Sequence, residues 1–294
     1  MNRNIKETIN SVTKCFTMFC HQLGQTIASV LRMTVLSSIR IAFRSKRYIE
    51  FKNSSSCCVL GNGPSLKDDF ENGKILIENN DIFCVNMFCA SPLFTVIRPR
   101  FYFLVDVAFF YPSNDLHRSQ VEALIEAFNR VDWKMYLITS SSSLSGSKLL
   151  NSITNPNVEL LKLNSTAVDG FGFFRHFAYS HGLGMPRCQT VVNFALCTAI
   201  NLGYKNVYLY GADHTWTRDL YVDENNTVCY GDRHVYNKNL TVIKKEGTFA
   251  HQLIQFATMF NSHYLIEDYS SSKKTKIWNC SSDSFLDAYE RLTV

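Results

Sequence analysis

From residue 57 onward, short apolar runs alternate with longer segments of helical periodicity, and this alternation limits the possible folds more than any other feature. The runs are rich in β-branched and aromatic residues, which is typical of strands buried on both faces. Such strands, separated by helices, predict an α/β domain with a doubly wound, mostly parallel sheet. The predicted strands are 57–60, 82–85, 101–105, 135–139, 158–163, 206–210 and 264–266, and the predicted helices are 120–129, 190–202 and 248–260.

Residues 1–52 form a leader whose charge differs from that of residues 53–294, the predicted main domain. The leader contains nine Lys and Arg against two Glu, a net charge of +7, whereas the other 242 residues have a net charge of −2. A body that binds nucleic acid would carry its own basic field. The charge distribution therefore argues against nucleic acid as a partner.

The leader also has the periodicity of an amphipathic helix, with apolar residues at steps of three and four from Ile5 to Val30. Its longest charge-free stretch, residues 15–31, has 17 residues and is too short and too polar to span a bilayer. Two interpretations stay open. Either the helix lies on an anionic membrane face, or it is an arm that packs on the protein itself or makes a homo-oligomer. In the first case the headgroups would meet Arg40, Arg44, Lys46 and Arg47.

The ten cysteines show no C-x-x-C spacing, and most of them lie inside apolar runs. This usage favours reduced thiols. The sequence also shows no secretory signal with a short apolar core and a small-residue cleavage site. We therefore expect a cytoplasmic protein, placed at the inner face of the cytoplasmic membrane if the leader binds lipid.

Polar residues follow three of the predicted strands, at the edge where open α/β sheets bind ligands. The first strand runs into residues 61–65, Gly-Asn-Gly-Pro-Ser, where the glycines allow a ligand to approach the backbone and the helix start attracts phosphate. Asn86 and Asp106 end the next two strands and are either ligand-binding residues or helix caps. Asp213 and His214 follow the strand 206–210. A carboxylate beside an imidazole is suited to hold a ribose hydroxyl, a metal or a proton, unless Asp213 only caps a helix and His214 is beside it by chance.

Residues 215–247 are polar and lack periodicity, so we expect them to form a lid or binding loop, called here the lid segment. The phenol hydroxyls of Tyr221, Tyr230 and Tyr236 are neutral donors suited to a leaving phosphate. Asp232 and His234 lie close together in the sequence, and His234 is a candidate general base.

Together these residues resemble a known group of enzymes. Residues 61–66, 190–195, 199–209 and 211–213, with Asn86 between them, resemble the bacterial sialyltransferases of glycosyltransferase family 42 and the related domain-of-unknown-function family 115. The end of the chain is similar to the latter family at residues 278–281, Ser284, Leu286, Asp287 and Arg291. The resemblance covers residues 57–294.

The resemblance implies that residues 53–294 form a nucleotide-sugar-binding catalytic domain, with a Rossmann-like, GT-A-like fold and without a D-x-D metal site. The implied reaction is metal-independent transfer of a nonulosonate, sialic-acid-like or Kdo-like, from a CMP-activated donor to a hydroxyl of a bacterial surface glycan. The donor is a substrate, so no metal and no further cofactor is expected, and the implied acceptor is a glycan or glycolipid such as lipopolysaccharide or capsule.

Carried onto this chain, the resemblance also implies roles for individual residues. Asn62, Gly63, Ser65 and Asn86 would contact the nucleotide, Thr190 and Asp213 would line the donor pocket, and Tyr221, Tyr230 or Tyr236 would assist the phosphate. His234, beside Asp232, is the implied base. His214 stands where the sialyltransferases carry an aromatic residue, and it is a candidate to replace or supplement that base.

Two other functions stay open at this point. A pterin-type pyrophosphokinase would need ATP and Mg²⁺, with Asp213, Asp219, Asp223 and Glu224 as candidate ligands, although their spacing matches no metal motif. A nucleotide- or glycan-binding protein without turnover would need only the binding pocket.

Overall fold

The computed structural model describes residues 3–142, 146–234 and 237–293. Its strands are Ser56–Leu60 (β1), Asp81–Val85 (β2), Phe101–Leu104 (β3), Met135–Ser140 (β4), Val158–Leu163 (β5), Asn206–Tyr210 (β6), Tyr221–Val222 (β7), Val228–His234 (β8), Asn237–Lys245 (β9), Lys276–Asn279 (β10) and Glu290–Arg291 (β11). Eight of them form one sheet in the order β11-β10-β6-β1-β2-β3-β4-β5, in which every neighbouring pair is parallel. β7, β8 and β9 form a separate antiparallel sheet.

Helices cover the central sheet and precede it. The α-helices are Arg3–Leu36 (α1), Ile39–Ser45 (α2), Ser65–Glu71 (α3), Leu93–Ile97 (α4), Val107–Phe110 (α5), Asp115–Asn129 (α6), Lys148–Ser152 (α7), Gly172–Ser180 (α8), Val191–Asn201 (α9) and Phe249–Ser272 (α10). Short 3-10 helices occupy Lys46–Phe51, Asn86–Ala90 and Thr215–Asp219.

Alternate residues of each central strand point into two separate cores, one on each face of the sheet. On β1, Val59 packs into the core covered by α9 and α10, whereas Leu60 packs into the core covered by α3 and α6. β2 and β3 divide their side chains in the same way. Burial on both faces explains the continuous apolar runs, and the arrangement confirms the predicted α/β, doubly wound, parallel sheet.

The sequence prediction was wrong for the strand 264–266. These residues lie in the middle of α10, whose buried residues Ile266 and Tyr269 are three apart, as on one face of a helix. A three-residue apolar run has no period of its own, so it fits a helix and a strand equally well. The strand that the sheet has in this part of the chain is instead β10, which follows the end of α10.

The lid segment is more regular than its sequence indicates. It contains the 3-10 helix Thr215–Asp219 followed by the antiparallel strands β7, β8 and β9. Much of this small sheet is exposed, including Tyr221, Val222 and Val242. Among its residues whose burial the structure describes, only Val228, Cys229 and Gly231 of β8 are buried. The strands therefore do not show the alternation of polar and apolar residues that usually identifies them.

The leader is attached to the body of the domain through polar contacts. The amide of Phe171 donates to Thr26 Oγ1 at 3.1 Å, and Ser29 exchanges hydrogen bonds with the backbone of Asp169 at 2.9 and 3.1 Å. Arg32 makes an ion pair with the Asp169 carboxylate at 3.2 Å. These contacts attach α1 to the body mainly through small and polar side chains, whereas Tyr48, near the end of the leader, is buried in the hydrophobic core, with Met33 and Phe51 packed against it.

Directly after the leader, the chain is held to the sheet by Asp81, the first residue of β2. Its Oδ2 accepts from the amides of Asn53 and Ser54 at 2.8 and 3.1 Å and from the Tyr204 hydroxyl at 2.7 Å.

In the described part of the chain, no single helix is long and apolar enough to cross a membrane. The pair Asn10–Leu36 and Ile39–Phe51, bent by 90°, meets that test by length and composition.

Candidate active site

The loops after β1 and β6 are joined to each other beyond the ends of their strands. The Gly61 amide donates to the Tyr210 carbonyl and the Gly63 amide to the Gly211 carbonyl, both at 2.8 Å. These bonds continue the parallel ladder between β1 and β6, whose last paired residues are Leu60 and Tyr210. β1 has β2 on its other side, so this is the point at which the strand order reverses, the switch point where open α/β sheets bind ligands.

A buried carboxylate completes this connection. Asp213 accepts from the Ser65 amide at 3.0 Å and from the Ser65 hydroxyl at 2.5 Å. Both donors of Ser65 are therefore used, and Ser65 lies behind the loop rather than among the residues that line the nearby cavity. We accordingly assign Ser65 an indirect role, in holding Asp213.

The glycines of the first loop serve the contact between the two loops. A Cβ at Gly61 would clash with the Gly211 carbonyl oxygen, and one at Gly63 would lie 2.6 Å from the Asp213 carboxyl carbon. The sequence suggested that these glycines admit a ligand to the backbone. In the structure the close approach is by the neighbouring loop, although Gly63 also lines the cavity.

A cavity of about 520 Å³ lies at the carboxyl ends of β1, β2, β3 and β6. This volume is in the range of small-molecule binding sites. Among its lining residues are Asn62, Gly63, Asn86, Asp106, Asp213 and His214 from the strand ends, Thr190 from the start of α9, Trp216, Asp219, Tyr230, Gly231 and Lys245 from the lid segment, and Gln252, Gln255, Phe256 and Met259 from α10.

Two asparagines place buried oxygens beside this cavity. Asn62 donates through Nδ2 to the Val85 carbonyl at 3.1 Å, and its Oδ1 is buried without a hydrogen-bond partner in the described structure. Asn86 has a left-handed backbone with φ 48°, and its Oδ1 is likewise buried and unpartnered among the described residues. Buried polar atoms are almost always hydrogen-bonded, so these two oxygens call for donors from a ligand or water.

Asp213 and His214 are both buried, and burial moves their pKa values in opposite directions. Desolvation raises the pKa of Asp213 to about 6, although the hydrogen bonds from Ser65 lower this pKa in part. Desolvation lowers the pKa of His214 to about 3. His214 is therefore a neutral imidazole at neutral pH, the state that a general base requires.

The His214 ring is held among other rings. Its centroid lies 4.8 Å from that of Trp216 and 5.3 Å from that of His263. Behind it, His263 Nδ1 is 2.9 Å from the Tyr289 hydroxyl, and burial together with the neighbouring His214 lowers the His263 pKa. Within the described part of the chain, Nε2 of His214 has no hydrogen-bond partner.

Asp106 and Thr190 line the cavity and also cap helices. Asp106 Oδ1 accepts from the Ala108 amide at 3.0 Å at the start of α5. Thr190 caps α9 in a reciprocal arrangement with Asn193. The two interpretations of such strand-end residues are compatible here, because a capping side chain at the carboxyl edge of the sheet also lies beside the cavity.

Several predicted residues are not brought to the cavity or cannot be placed. Tyr221 is 45% exposed and lies outside the cavity lining. Tyr236 falls outside the described residues, as do the side chains of Asp232 and His234. The backbone of His234 is three residues beyond the cavity-lining Gly231, roughly 10 Å further along β8.

Sequence reasoning missed the wall of the cavity that α10 provides. Gln252, Gln255, Phe256 and Met259 have the spacing i, i+3, i+4, i+7 of one helical face. The predicted helix 248–260 shows this face, but the sequence does not show that the face lines the cavity. Lys245 was also missed; its Nζ lies 5.4 Å from the ring centroid of Tyr230 and supplies a cation on the lid side.

The carboxylates proposed for a magnesium site do not gather in one place. Asp213 and Asp219 line the cavity, whereas Asp223 Oδ1 accepts the amides of Asn225 and Thr227 in the turn between β7 and β8. Among the residues the structure describes, no group of three or more His, Cys, Asp or Glu side chains is placed to hold a metal ion.

Comparison with protein-family models and with curated proteins finds no match. Among solved structures, the chain is similar to the MAf glycosyltransferase from Magnetospirillum magneticum AMB-1, with a TM-score of 0.51 and 17% sequence identity. The match covers 82% of this chain and 34% of that protein, so this chain spans about a third of its length. At this identity the similarity concerns the fold.

Replacement of Gly63 by Ala tests the connection between the loops. We expect the free energy of unfolding to fall by about 2 kcal/mol or more, because the new Cβ meets the Gly211 carbonyl and the Asp213 carboxyl at 2.6–2.7 Å. Gly24→Ala is the control, since it adds a methyl group to a helix with nothing within 4 Å. Urea denaturation measures both. Equal stability of the two variants would show that the loops are not held together this tightly.

Replacement of Asp213 by Asn tests the state of the buried carboxyl. Because the folded-state pKa of about 6 lies above the ordinary 3.8, the stability that the protonated carboxyl contributes is lost as the pH rises towards 6. The variant lacks this titration. Its stability relative to the wild type should therefore increase by about 2 kcal/mol between pH 4 and pH 7 in urea denaturation. A pH-independent difference would place the carboxyl pKa near its ordinary value.

Proposed function

We propose that the protein is a glycosyltransferase that binds a CMP-activated nonulosonate in this cavity and transfers the sugar to an acceptor hydroxyl. The observation that carries the proposal is the pair of buried oxygens of Asn62 and Asn86 at the switch point, which have no hydrogen-bond partner among the described residues. The neutral imidazole of His214 lines the same cavity. The fold similarity to a glycosyltransferase and the sequence resemblance to sialyltransferases support the same class.

The two asparagine oxygens favour a ligand that offers N–H or O–H donors. Both acceptors lie at neighbouring strand ends, so one nucleoside can reach both. Cytosine carries an exocyclic amine, and ribose carries hydroxyls, whereas uracil has a carbonyl at the position of that amine. The unpartnered acceptors therefore favour CMP over UMP.

The rest of the cavity suits an anionic donor. Lys245 brings a positive charge from the lid segment, and the Tyr230 hydroxyl group is a neutral donor on the same side. The N-terminus of α9, marked by its cap Thr190, adds a partial positive charge. These groups are suited to the phosphate of CMP and to the carboxylate of a nonulosonate.

In the proposed reaction His214 accepts the proton of the acceptor hydroxyl as that oxygen bonds to the anomeric carbon of the sugar. The bond between this carbon and the phosphate oxygen breaks, and CMP leaves with the bonding electrons as a phosphate monoester. The low pKa of His214 comes from burial, and an anionic donor beside the ring would raise it towards the useful range. Asp213, held by Ser65, fixes the backbone next to the base.

Calorimetric titration with nucleotides tests the binding step. We expect CMP to bind without added Mg²⁺ and more tightly than UMP, UDP, GDP or ATP. Asn62→Ala and Asn86→Ala should each weaken CMP binding at least tenfold, which corresponds to about 1.4 kcal/mol. Asn151→Ala, on the exposed face of α7, is the matched control and should leave binding unchanged. Binding of ATP with Mg²⁺, and not of CMP, would contradict the proposal and favour a pyrophosphokinase.

Comparison of two histidine variants tests the base. In an assay with a CMP-sugar that the wild type uses as a substrate, His214→Gln should lower kcat by about 10²- to 10⁴-fold while CMP affinity stays unchanged. His117→Gln, on α6 and away from the cavity, is the control for a general effect of losing an imidazole. If instead His234→Gln abolished turnover and His214→Gln did not, the base would be in the lid segment.

A further inference from the structure

The apolar stripe of α1 faces away from the body of the protein. Its side chains recur every three or four residues and are each 41–67% exposed: Val12, Phe16, Phe19, Leu23, Ile27 and Val30. A helix that folds onto its own domain normally buries such a stripe. Here the helix is instead attached through Thr26, Ser29 and Arg32, on a different face.

The body extends this apolar surface. The ring of Phe19 lies 5.5 Å from that of Phe171, which in turn lies 5.8 Å from that of Phe173. Phe173, at the start of α8, is 77% exposed. The stripe and these phenylalanines form one outward-facing surface, called here the leader face. It is contiguous, unlike the singly scattered apolar side chains on the surface of an ordinary monomer.

A group of cations follows at the end of this face. Arg40, Arg44, Lys46 and Arg47 are exposed on α2 and on the 3-10 helix after it, beside the exposed side chain of Phe43. In the described part of the chain none of the four forms an ion pair with a carboxylate. Lys46 Nζ lies 5.8 Å from the Phe43 ring centroid, so apolar and cationic groups are interleaved.

We propose that the leader face binds the surface of an anionic phospholipid bilayer, with α1 lying in the plane of the headgroups. Interleaved apolar and cationic side chains are the pattern by which interfacial helices recognise such a surface. A second copy fits the charge less well, because it would bring one +7 segment against another. The polar contacts of Ser29 and Arg32 with Asp169 keep the helix on the body and so favour a helix at the interface over one that enters the bilayer.

Asp169 also links the leader to the cavity. Besides its ion pair with Arg32, its Oδ2 lies 3.6 Å from Nη2 of Arg187. Cys188 and Gln189, which follow Arg187 in the chain, line the cavity. Binding through the leader face would therefore place the segment that lines this side of the cavity on the membrane-bound part of the protein. This consequence rests on the proposed function and suggests an acceptor carried on a membrane lipid.

Sedimentation of the full-length protein with vesicles tests the proposal. We expect binding to vesicles of phosphatidylcholine with 30% phosphatidylglycerol at least tenfold stronger than to phosphatidylcholine alone, and weakened by salt. Val12→Glu/Phe16→Glu should reduce binding at least tenfold. Thr17→Glu/Ala28→Glu is the matched control, because it adds the same charge to exposed positions of α1 off the stripe and should retain most of the binding.

Arg44→Gln/Arg47→Gln tests the electrostatic part and should weaken binding while reducing its salt dependence. Equal loss in the Val12/Phe16 and Thr17/Ala28 variants would overturn the proposal. The proposal would also be overturned if the wild type did not bind vesicles and light scattering showed it to be a dimer that Val12→Glu/Phe16→Glu converts to a monomer. CMP titration of the same variants keeps the two proposals distinguishable, because loss of vesicle binding with intact CMP affinity concerns the leader face alone.

Discussion

The hydrogen bonds from Ser65 to the Asp213 carboxylate hold together the point on which the site depends. With the backbone bonds of Gly61 and Gly63, they continue the β1–β6 ladder past the ends of the strands. The chain after β1 and the chain after β6 thus emerge as one unit, with Asn62 on one side and His214 on the other. Any side chain at these glycines would separate the loops and with them the two halves of the cavity.

The same burial that fixes this unit also sets its electrostatics. Removal from water disfavours charge, so it raises the pKa of the acid and lowers the pKa of the neighbouring imidazole. An apolar wall of Trp216 and Phe256 maintains this environment on the side of the lid segment and α10. Strongly shifted titratable groups beside a cavity are typical of functional sites, and here the lowered pKa keeps His214 unprotonated at neutral pH.

The sequence predicts the centre of the fold well because strands buried on both faces have continuous apolar runs. It predicts the positions of Asn62, Asn86 and Asp213 because parallel strands bring their ends to one edge. It could not show that the two asparagine oxygens have no hydrogen-bond partner among the described residues, because this depends on packing. It also missed the face of α10 and Lys245, and it misassigned residues 264–266, because periodicity identifies a helical face but not what that face meets. For the leader, the stripe was evident, but only the structure shows that it faces outward.

The decisive experiment is a crystal structure with CMP bound. We expect the nucleotide in the cavity at the ends of β1, β2 and β6, with donors of its base or ribose within hydrogen-bond distance of Oδ1 of Asn62 and Asn86. The phosphate should point towards Lys245 and Tyr230. Crystals grown at saturating CMP that show the nucleotide elsewhere, or bound in the cavity without contact to either asparagine, would contradict it.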